Sequence, residues 1–176
     1  MERKVIDNFL PQDVFEYISE IVMTPKHDRQ ILWQHQATVA EFDDAEKSMP
    51  HWNWMGISMI YSEDEVMHPF YEELKDSVLP VIREKAYNYR ALSRIKVNFY
   101  PWTHEIKHHR WHTDFNFDNV GAVWSMNTCD GYTEFEDGQI VESVANRLVV
   151  FNAQDSHRST TTTTNHGRYN INFNLV

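Results

Sequence analysis

The chain has 176 residues, of which 41% are hydrophobic, 24% charged and 14% aromatic, a composition typical of a single globular domain and unlike that of disordered chains. The formal net charge of −10 argues against nucleic-acid partners, although an average charge does not exclude a local basic pocket. A lone cysteine, Cys129, excludes an internal disulfide, and neither a signal peptide nor a run of roughly 18 apolar residues is visible. We therefore expect one domain over residues 1–176 of a cytoplasmic protein without a membrane partner.

The first 93 residues predict helical support and outer strands. After a short strand over residues 4–9, apolar residues recur at helical spacing from Pro11 to about Met23, and Thr24-Pro25 ends this helix. Two short strands at 32–39 and 56–61 flank a polar loop that ends in Pro50. A second helix is expected over 69–87, where Pro80 should kink or divide it.

Residues 94–176 predict only extended segments. Short runs rich in β-branched and aromatic residues, bounded by polar turns, lie at 95–100, 121–126, 131–135, 147–152 and 168–175. No helical crossover separates them, which favours antiparallel pairing in a double-sheet jelly roll. The expected fold class is therefore α+β but mainly β: a double-stranded β-helix of the cupin-like kind, with the N-terminal helices packed on one sheet.

His112-Thr113-Asp114 is the most informative tripeptide of the chain. In an extended segment, residues two apart point to the same side, so the imidazole and the carboxylate would enter one cavity together. A second imidazole, His157, follows the apolar strand at 147–152. Two histidines and one carboxylate on one face of a metal form the facial triad of non-haem Fe(II) oxygenases, which leaves positions open for a cosubstrate and O₂.

A His-x-Asp pair alone is common by chance. The interpretation as a metal site is strengthened by an arginine near the end of the chain. Arg168 opens the last strand, and its planar guanidinium suits a carboxylate. In a sheet curled into a barrel, Arg168 would reach the cavity of the histidines and pair with the far carboxylate of a dicarboxylic 2-oxo acid. The nearby histidines are expected to be solvated loop residues rather than ligands: His104, His108 and His109.

The sequence from about residue 96 to the end resembles the 2-oxoglutarate/Fe(II)-dependent dioxygenase superfamily, in particular its small prolyl-hydroxylase-like members from bacteria and phages. The resemblance rests on the ordered segments Val97-Asn98-Phe99-Tyr100-Pro101, His112-Thr113-Asp114, Gly131-Tyr132-Thr133-Glu134-Phe135, Asn146-Arg147-Leu148-Val149-Val150-Phe151, His157 and Arg168. It covers a little under half of the chain, and the preceding residues match only in kind.

The resemblance implies specific roles and cofactors. The iron ligands would be His112, Asp114 and His157, and Arg168 would hold the C5 carboxylate of 2-oxoglutarate. Three further residues match positions that line the cosubstrate pocket in similar enzymes: Asn98, Tyr100 and Ser125. The implied reaction consumes 2-oxoglutarate and O₂ at Fe(II), releases succinate and CO₂, and hydroxylates an organic substrate, with a prolyl residue or free proline as the leading candidate.

Substrate choice is where this sequence departs from its relatives. In relatives, the segment before His-x-Asp is commonly rich in glycine. In this chain the corresponding segment is Trp102 to His109, which contains no glycine, and we expect it at the substrate entrance. Asn170 should share the inward face of Arg168, and Cys129 is expected to be an inert small residue. Two other classes stay open: a Zn or Mn hydrolase or isomerase on a cupin-like barrel, which would have no standing need for Arg168, and a non-catalytic ligand-binding jelly roll.

Overall fold

The computed structural model describes residues 1–24, 30–40 and 50–176 of the chain. Eight strands form a large antiparallel sheet and three form a small one. The strands are β1 (Lys4–Ile6), β2 (Gln34–Gln36), β3 (Met55–Ser62), β4 (Glu65–Val66), β5 (Leu92–Pro101), β6 (Val120–Ser125), β7 (Tyr132–Phe135), β8 (Ile140–Glu142), β9 (Leu148–Asn152), β10 (His157–Ser159) and β11 (Gly167–Leu175). The large sheet has the order β1-β9-β6-β11-β5-β3-β2, with β4 paired to β3, and the small sheet has the order β10-β7-β8.

The helices are α1 (Gln12–Met23), α2 (Tyr71–Ser77) and the single turn α3 (Leu79–Val81), which continues into a π-helical turn over Ile82–Ala86. Helix α1 ends because Thr24 adopts an extended conformation, and its backbone N–H still donates to the Glu20 carbonyl. Pro80 lies in the first turn of α3, where its missing N–H has no partner to lose. The predicted second helix is therefore divided at this proline, as expected.

The main hydrophobic core lies between these helices and the outer face of the large sheet. The helical side contributes buried side chains such as Phe15, Ile18 and Leu74. The sheet side contributes alternate residues of β5 and β11, among them Ile95 and Ile171, because successive side chains of a strand point to opposite faces. The prediction of helices packed on one sheet is confirmed.

The small sheet covers part of the opposite face of the large sheet, and together they form a jelly roll. A second apolar cluster joins the two sheets: Val123, Phe135, Val141, Val149 and Phe151. Beyond this cluster the space between the sheets is lined by polar side chains, so the barrel interior is a polar cavity beside an apolar seal. The predicted double-stranded β-helix, mainly β with N-terminal helices, is confirmed.

Several local predictions differ from the structure. The strands expected at 4–9 and 32–39 are shorter, at Lys4–Ile6 and Gln34–Gln36, because both lie at the ends of the large sheet where only one neighbour holds them. Strands β4, β8 and β10 were not predicted, since two or three residues carry no readable alternation. Most of the polar loop before Pro50, and Pro25 after α1, lie outside the described residues.

No helix in the described parts of the chain is long and apolar enough to cross a membrane.

Candidate metal centre and cosubstrate pocket

Backbone pairing brings the two candidate histidines together. His112 and His157 form an isolated antiparallel bridge in which each backbone N–H donates to the other residue's carbonyl at 2.9 Å. Their rings lie 4.6 Å apart between centroids. The Asp114 N–H donates to the Ala153 carbonyl at 3.1 Å. This second backbone hydrogen bond holds the Asp114 carboxylate beside the two histidine rings. The candidate ligand atoms of all three residues lie within 4.8 Å of one another.

The second ring nitrogen of each histidine is engaged by backbone. Nδ1 of His112 lies 3.2 Å from the Arg110 carbonyl, and Nδ1 of His157 lies 2.8 Å from the Asp155 carbonyl. A carbonyl oxygen can only accept, so each Nδ1 carries the proton and each Nε2 keeps its lone pair. This is the tautomer that binds a metal through Nε2, and the outer hydrogen bond fixes the orientation of the ring.

The Asp114 carboxylate is held from three directions. Arg94 donates from Nη2 at 3.3 Å, and the amides of Asn172 and Asn174 donate from Nδ2 at 3.2 and 3.1 Å. Asn174 also accepts from Nε of Arg94 at 3.0 Å, which orients the guanidinium. A carboxylate so restrained presents its oxygens in one direction, as a metal ligand requires.

The charge states agree with ligation at neutral pH. Burial and, to a smaller extent, the neighbouring His157 together lower the pKa of His112 to about 4, so His112 is neutral. Burial opposes the charge of Asp114, but the opposite charges of His157 and Arg94 and the hydrogen bond from Asn174 outweigh it and hold the pKa of Asp114 below its usual range. A neutral His112 and an ionised Asp114 are the forms that bind a divalent cation.

Arg168 lies buried inside the barrel, with only 1% of its surface exposed. It donates from Nε to the Ser143 hydroxyl at 2.6 Å, from Nη1 to the Tyr132 carbonyl at 2.8 Å and from Nη2 to the Thr133 hydroxyl at 2.8 Å. A guanidinium has five N–H donors, so one on each terminal nitrogen remains for a ligand. Its positive charge has no carboxylate partner among the described residues.

The predicted Gly131-Tyr132-Thr133 motif leaves room for the Arg168 side chain and accepts two of its hydrogen bonds. A Cβ at Gly131 would lie 2.9 Å from Cδ of Arg168 and 2.8 Å from the Thr161 carbonyl oxygen, so only glycine leaves room for the side chain. The next two residues accept its hydrogen bonds. The three residues thus fix where the guanidinium lies.

A narrow cavity extends from the histidines towards Arg168. Its walls include the triad and the residues beside the arginine: His112, Asp114, His157, Asn98, Tyr100, Thr133, Ser159, Asn170 and Asn172. Tyr100 lies directly opposite Arg168 in the β5–β11 register, with the guanidinium carbon 5.4 Å from its ring centre. The structure therefore brings the predicted Asn98, Tyr100 and Asn170 into one cavity with the triad.

Buried polar atoms without a protein partner cluster around this cavity. They include Oδ1 of Asn98, Oδ1 of Asn172 and Nε2 of His109. Leaving such atoms unpaired costs about 1–3 kcal/mol each, which a bound polar molecule would relieve. Together with the spare N–H groups of Arg168 and the free Nε2 atoms of the triad, they fit a metal chelated by a small dicarboxylate.

Two sequence expectations have different outcomes here. His109 was expected to be a solvated loop residue, and this is wrong: it is 2% exposed, its Nδ1 lies 2.8 Å from the Ser159 hydroxyl, and its ring packs on Tyr100. Its backbone N–H pairs with Ser159, which draws the residue into the barrel. Ser125 faces Asn170 in the register but is not among the residues lining the cavity, so its role stays a prediction.

The remaining predictions concern the rim. Trp102 is 43% exposed and donates from Nε1 to the Thr163 carbonyl at 2.9 Å, so the segment that begins with it lies at the surface next to the barrel. Cys129 is a free, partly buried thiol.

Basic residues beside the triad were missed from the sequence. Lys96 and Arg94 lie on β5, on the same face as Asn98 and Tyr100, and line a cleft that also contains His112 and Asp114. Burial and, to a smaller extent, the charge of Arg94 together lower the pKa of Lys96 to about 8. The signal was present: β5 and β11 carry polar residues at every second position, a pattern that predicts a strand with one polar face.

Comparison by sequence identifies no relative: neither a protein-family model nor a curated protein matches the chain.

Comparison by structure identifies the fold as that of the 2-oxoglutarate/Fe(II) oxygenases, and its neighbours include prolyl hydroxylases. An oxidoreductase of the 2OG-Fe(II) oxygenase family from Burkholderia pseudomallei matches with a TM-score of 0.65 at 8% identity, over 98% of this chain and 84% of that one. A prolyl-4-hydroxylase from Pseudomonas putida matches with a TM-score of 0.61 at 16% identity, over 98% and 91%. A Trichoplax adhaerens prolyl hydroxylase, in complex with a hypoxia inducible factor peptide fragment, matches with a TM-score of 0.62 at 14% identity, over 98% and 83%.

Proposed function

We propose that the chain is a non-haem iron(II)- and 2-oxoglutarate-dependent dioxygenase, and that residues 1–176 form one catalytic domain. The observation that carries the proposal is the pairing of two features in one cavity. His112, Asp114 and His157 lie at one part of it, and the buried guanidinium of Arg168, with donors to spare, lies near another. A metal site alone would suit many reactions, whereas a metal site beside a buried arginine suits a dicarboxylate that chelates the metal.

In this proposal the triad holds Fe(II) through the two Nε2 atoms and a carboxylate oxygen of Asp114. Arg168 binds the distal carboxylate of 2-oxoglutarate, and Asn98 and Tyr100 contact the molecule between them. Ser125, which pairs with Asn170 outside the cavity lining, would support the pocket through that neighbour. The chemistry that bound iron supplies is the activation of O₂ coupled to decarboxylation of the 2-oxo acid, with succinate and CO₂ as products.

The chain's own residues prepare this chemistry. The carbonyls of Arg110 and Asp155 fix the tautomers of the histidines, and the amides on β11 orient Asp114. Arg168 neutralises the charge of the cosubstrate at a place where the arginine itself is buried from water. No proton transfer by a protein side chain is required.

We further propose hydroxylation as the reaction and a small molecule or peptide as the substrate, with a prolyl group as one candidate. Support comes from the fold shared with prolyl hydroxylases, one of which is in complex with a peptide fragment. The hydrolase, isomerase and non-catalytic alternatives leave Arg168 unexplained, because none requires an inward arginine beside the metal.

The test is to load the purified protein with Fe(II) and measure succinate formed from 2-oxoglutarate, alone and with candidate substrates. We expect succinate formation in the wild type and none in His112→Ala or Asp114→Ala. Glu72→Ala, which changes an exposed carboxylate on α2, is the matched control and should retain activity. Full activity of His112→Ala, or tight zinc binding with no effect of 2-oxoglutarate, would refute the proposal.

A further inference from the structure

The cleft beside the triad has a charge opposite to that of the whole protein. The chain carries a formal net charge of −10, yet the charged residues described in this cleft are Arg94, Lys96 and Arg110 against the single carboxylate of Asp114. Asp114 is already engaged by Arg94 and two amides. The described wall of the cleft therefore carries more cations than carboxylates, which favours anions locally.

Lys96 is the cation of this cleft that interacts with Asp114 through its charge alone. Its side chain lines both the cleft and the narrow cavity of the triad. Arg94 is committed to Asp114 and Asn174, whereas Lys96 makes no hydrogen bond or ion pair with a described residue. A partly buried cation without a hydrogen-bond partner is costly in isolation, so a bound anion would stabilise it.

The position of Lys96 separates it from the cosubstrate arginine. Lys96 pairs with Asn172 in the β5–β11 register, whereas Tyr100 pairs with Arg168. Four residues of a strand span about 13 Å, and Asp114, bound by Asn172, lies at the level of Lys96. One end of the interior thus has Arg168 for the distal carboxylate of a cosubstrate, and the other end has Lys96 facing the open cleft.

The cleft also has the size of a small-molecule site. Its volume is about 590 Å³, within the range of roughly 300–1,000 Å³ found for ligand pockets. The described wall also contains uncharged polar side chains, among them Gln36 and Thr38. A small organic acid fits these dimensions and this lining.

We propose that Lys96 binds a carboxylate of the substrate, so that the enzyme oxidises a small organic acid. The proposal rests on the function proposed above and adds the substrate class to it. The ammonium would pair with the carboxylate in the cleft, leaving the rest of the molecule between Lys96 and the triad, where its C–H bonds face the metal. Lys96 would be a substrate-binding residue and would take no part in holding 2-oxoglutarate.

The experiment compares carboxylic acids with their own amides. Isothermal titration calorimetry on protein loaded with Zn(II) and 2-oxoglutarate measures binding without turnover. The probes are N-acetyl-L-proline, phenylacetate and hexanoate, each paired with its primary amide, together with phenyl phosphate. We expect at least one acid to bind the wild type about tenfold or more tightly than its amide, since a hydrogen bond to a charged group is worth that factor.

Variants assign this preference to Lys96. Lys96→Met should reduce the acid-to-amide ratio to near one, and Lys96→Arg should retain most of it. Lys75→Met, which removes an exposed lysine on α2, should leave the ratio unchanged. The affinity for 2-oxoglutarate should change less than threefold in Lys96→Met. If Lys96 had only a structural role, its loss would weaken 2-oxoglutarate binding as well.

The outcomes separate the two proposals. If Zn(II) or 2-oxoglutarate does not bind the wild type, the proposed function itself fails. If both bind but no acid is preferred over its amide, or Lys96→Met keeps the preference, the substrate class is wrong while the oxygenase stands. Tighter binding of phenyl phosphate than of phenylacetate would assign the cleft to phosphate esters and overturn the carboxylate proposal, as would a loss confined to 2-oxoglutarate affinity.

Discussion

Replacing Arg168 by methionine should abolish the distinction between 2-oxoglutarate and 2-oxopentanoate, which carries a methyl group in place of the distal carboxylate. Three of the five N–H donors of Arg168 are used by Ser143, Tyr132 and Thr133, so two remain for one carboxylate. Breaking a buried ion pair of this kind costs about 3–5 kcal/mol. The wild type should therefore prefer 2-oxoglutarate by about two to three orders of magnitude, and Arg168→Met should show almost no preference.

The measurement is an anaerobic titration of the Fe(II)-loaded protein with each 2-oxo acid, followed by the visible absorption of the iron chelate. Losing the three internal hydrogen bonds of Arg168 should weaken the binding of both 2-oxo acids to a similar extent. This common effect cancels in the ratio of the two affinities. Arg168→Lys keeps the charge without the planar fork and should give an intermediate ratio. Arg158→Met is the matched control, because Arg158 pairs with Glu134 and packs over Trp111.

A wild-type ratio near one would refute the reasoning directly, since it would mean that the spare donors of Arg168 meet no carboxylate. A large ratio that survives in Arg168→Met would place the recognition of the distal carboxylate elsewhere, with Lys96 as the next candidate.

Three further predictions follow from the hydrogen bonds and charges of the site and of the core. Asn172→Leu removes one hydrogen bond from Asp114 and should weaken Zn(II) binding about tenfold by calorimetry; unchanged affinity would show that the other two donors suffice. Because burial lowers the pKa of His112 to about 4, below its usual value of about 6.5, the unfolded chain binds the proton more readily. The stability of the metal-free protein should therefore fall by about 3 kcal/mol between pH 6.5 and 4, and urea unfolding of His112→Asn should lack that part of the slope. Asn146→Ala deletes buried hydrogen bonds to Leu10 and Trp124 at a φ of 62°, and should cost about 3 kcal/mol in unfolding free energy; Asn146→Gly relieves only the backbone and should recover a minor part.

The parts of the molecule that could be predicted from sequence are those with a local signal. His112 and Asp114 are two residues apart, and Arg168 opens a strand of strict alternation, so their shared direction follows from strand geometry. The division of the second helix follows from Pro80. The long strands β5 and β11 and helix α1 were expected within one to three residues of their ends.

The parts that could not be predicted depend on contacts between distant segments. Strand β10 has three residues, and it exists because His157 bridges to His112 and pairs with β7. The burial of His109 depends on Ser159, fifty residues away. In the sequence, Asn172 and Asn174 are ordinary polar strand residues. Their hydrogen bonds to Asp114 could not be predicted, because Asp114 is distant in the chain. Such long-range pairs leave no periodicity in the sequence.

The alternation of β5 and β11 has a consequence for how the cavity of this protein could diversify. On β5 and β11, Ile95, Val97, Ile171 and Phe173 belong to the main core, whereas Lys96, Asn98, Tyr100, Asn170 and Asn172 line the cavity. Mutations of the cavity-lining residues should therefore change ligand binding, and mutations of the core residues should lower stability. The two sets of positions alternate along the same strands and overlap little. In a laboratory library, randomising only the cavity-facing set would sample new substrates while leaving the apolar core intact, so a large share of the variants should still fold.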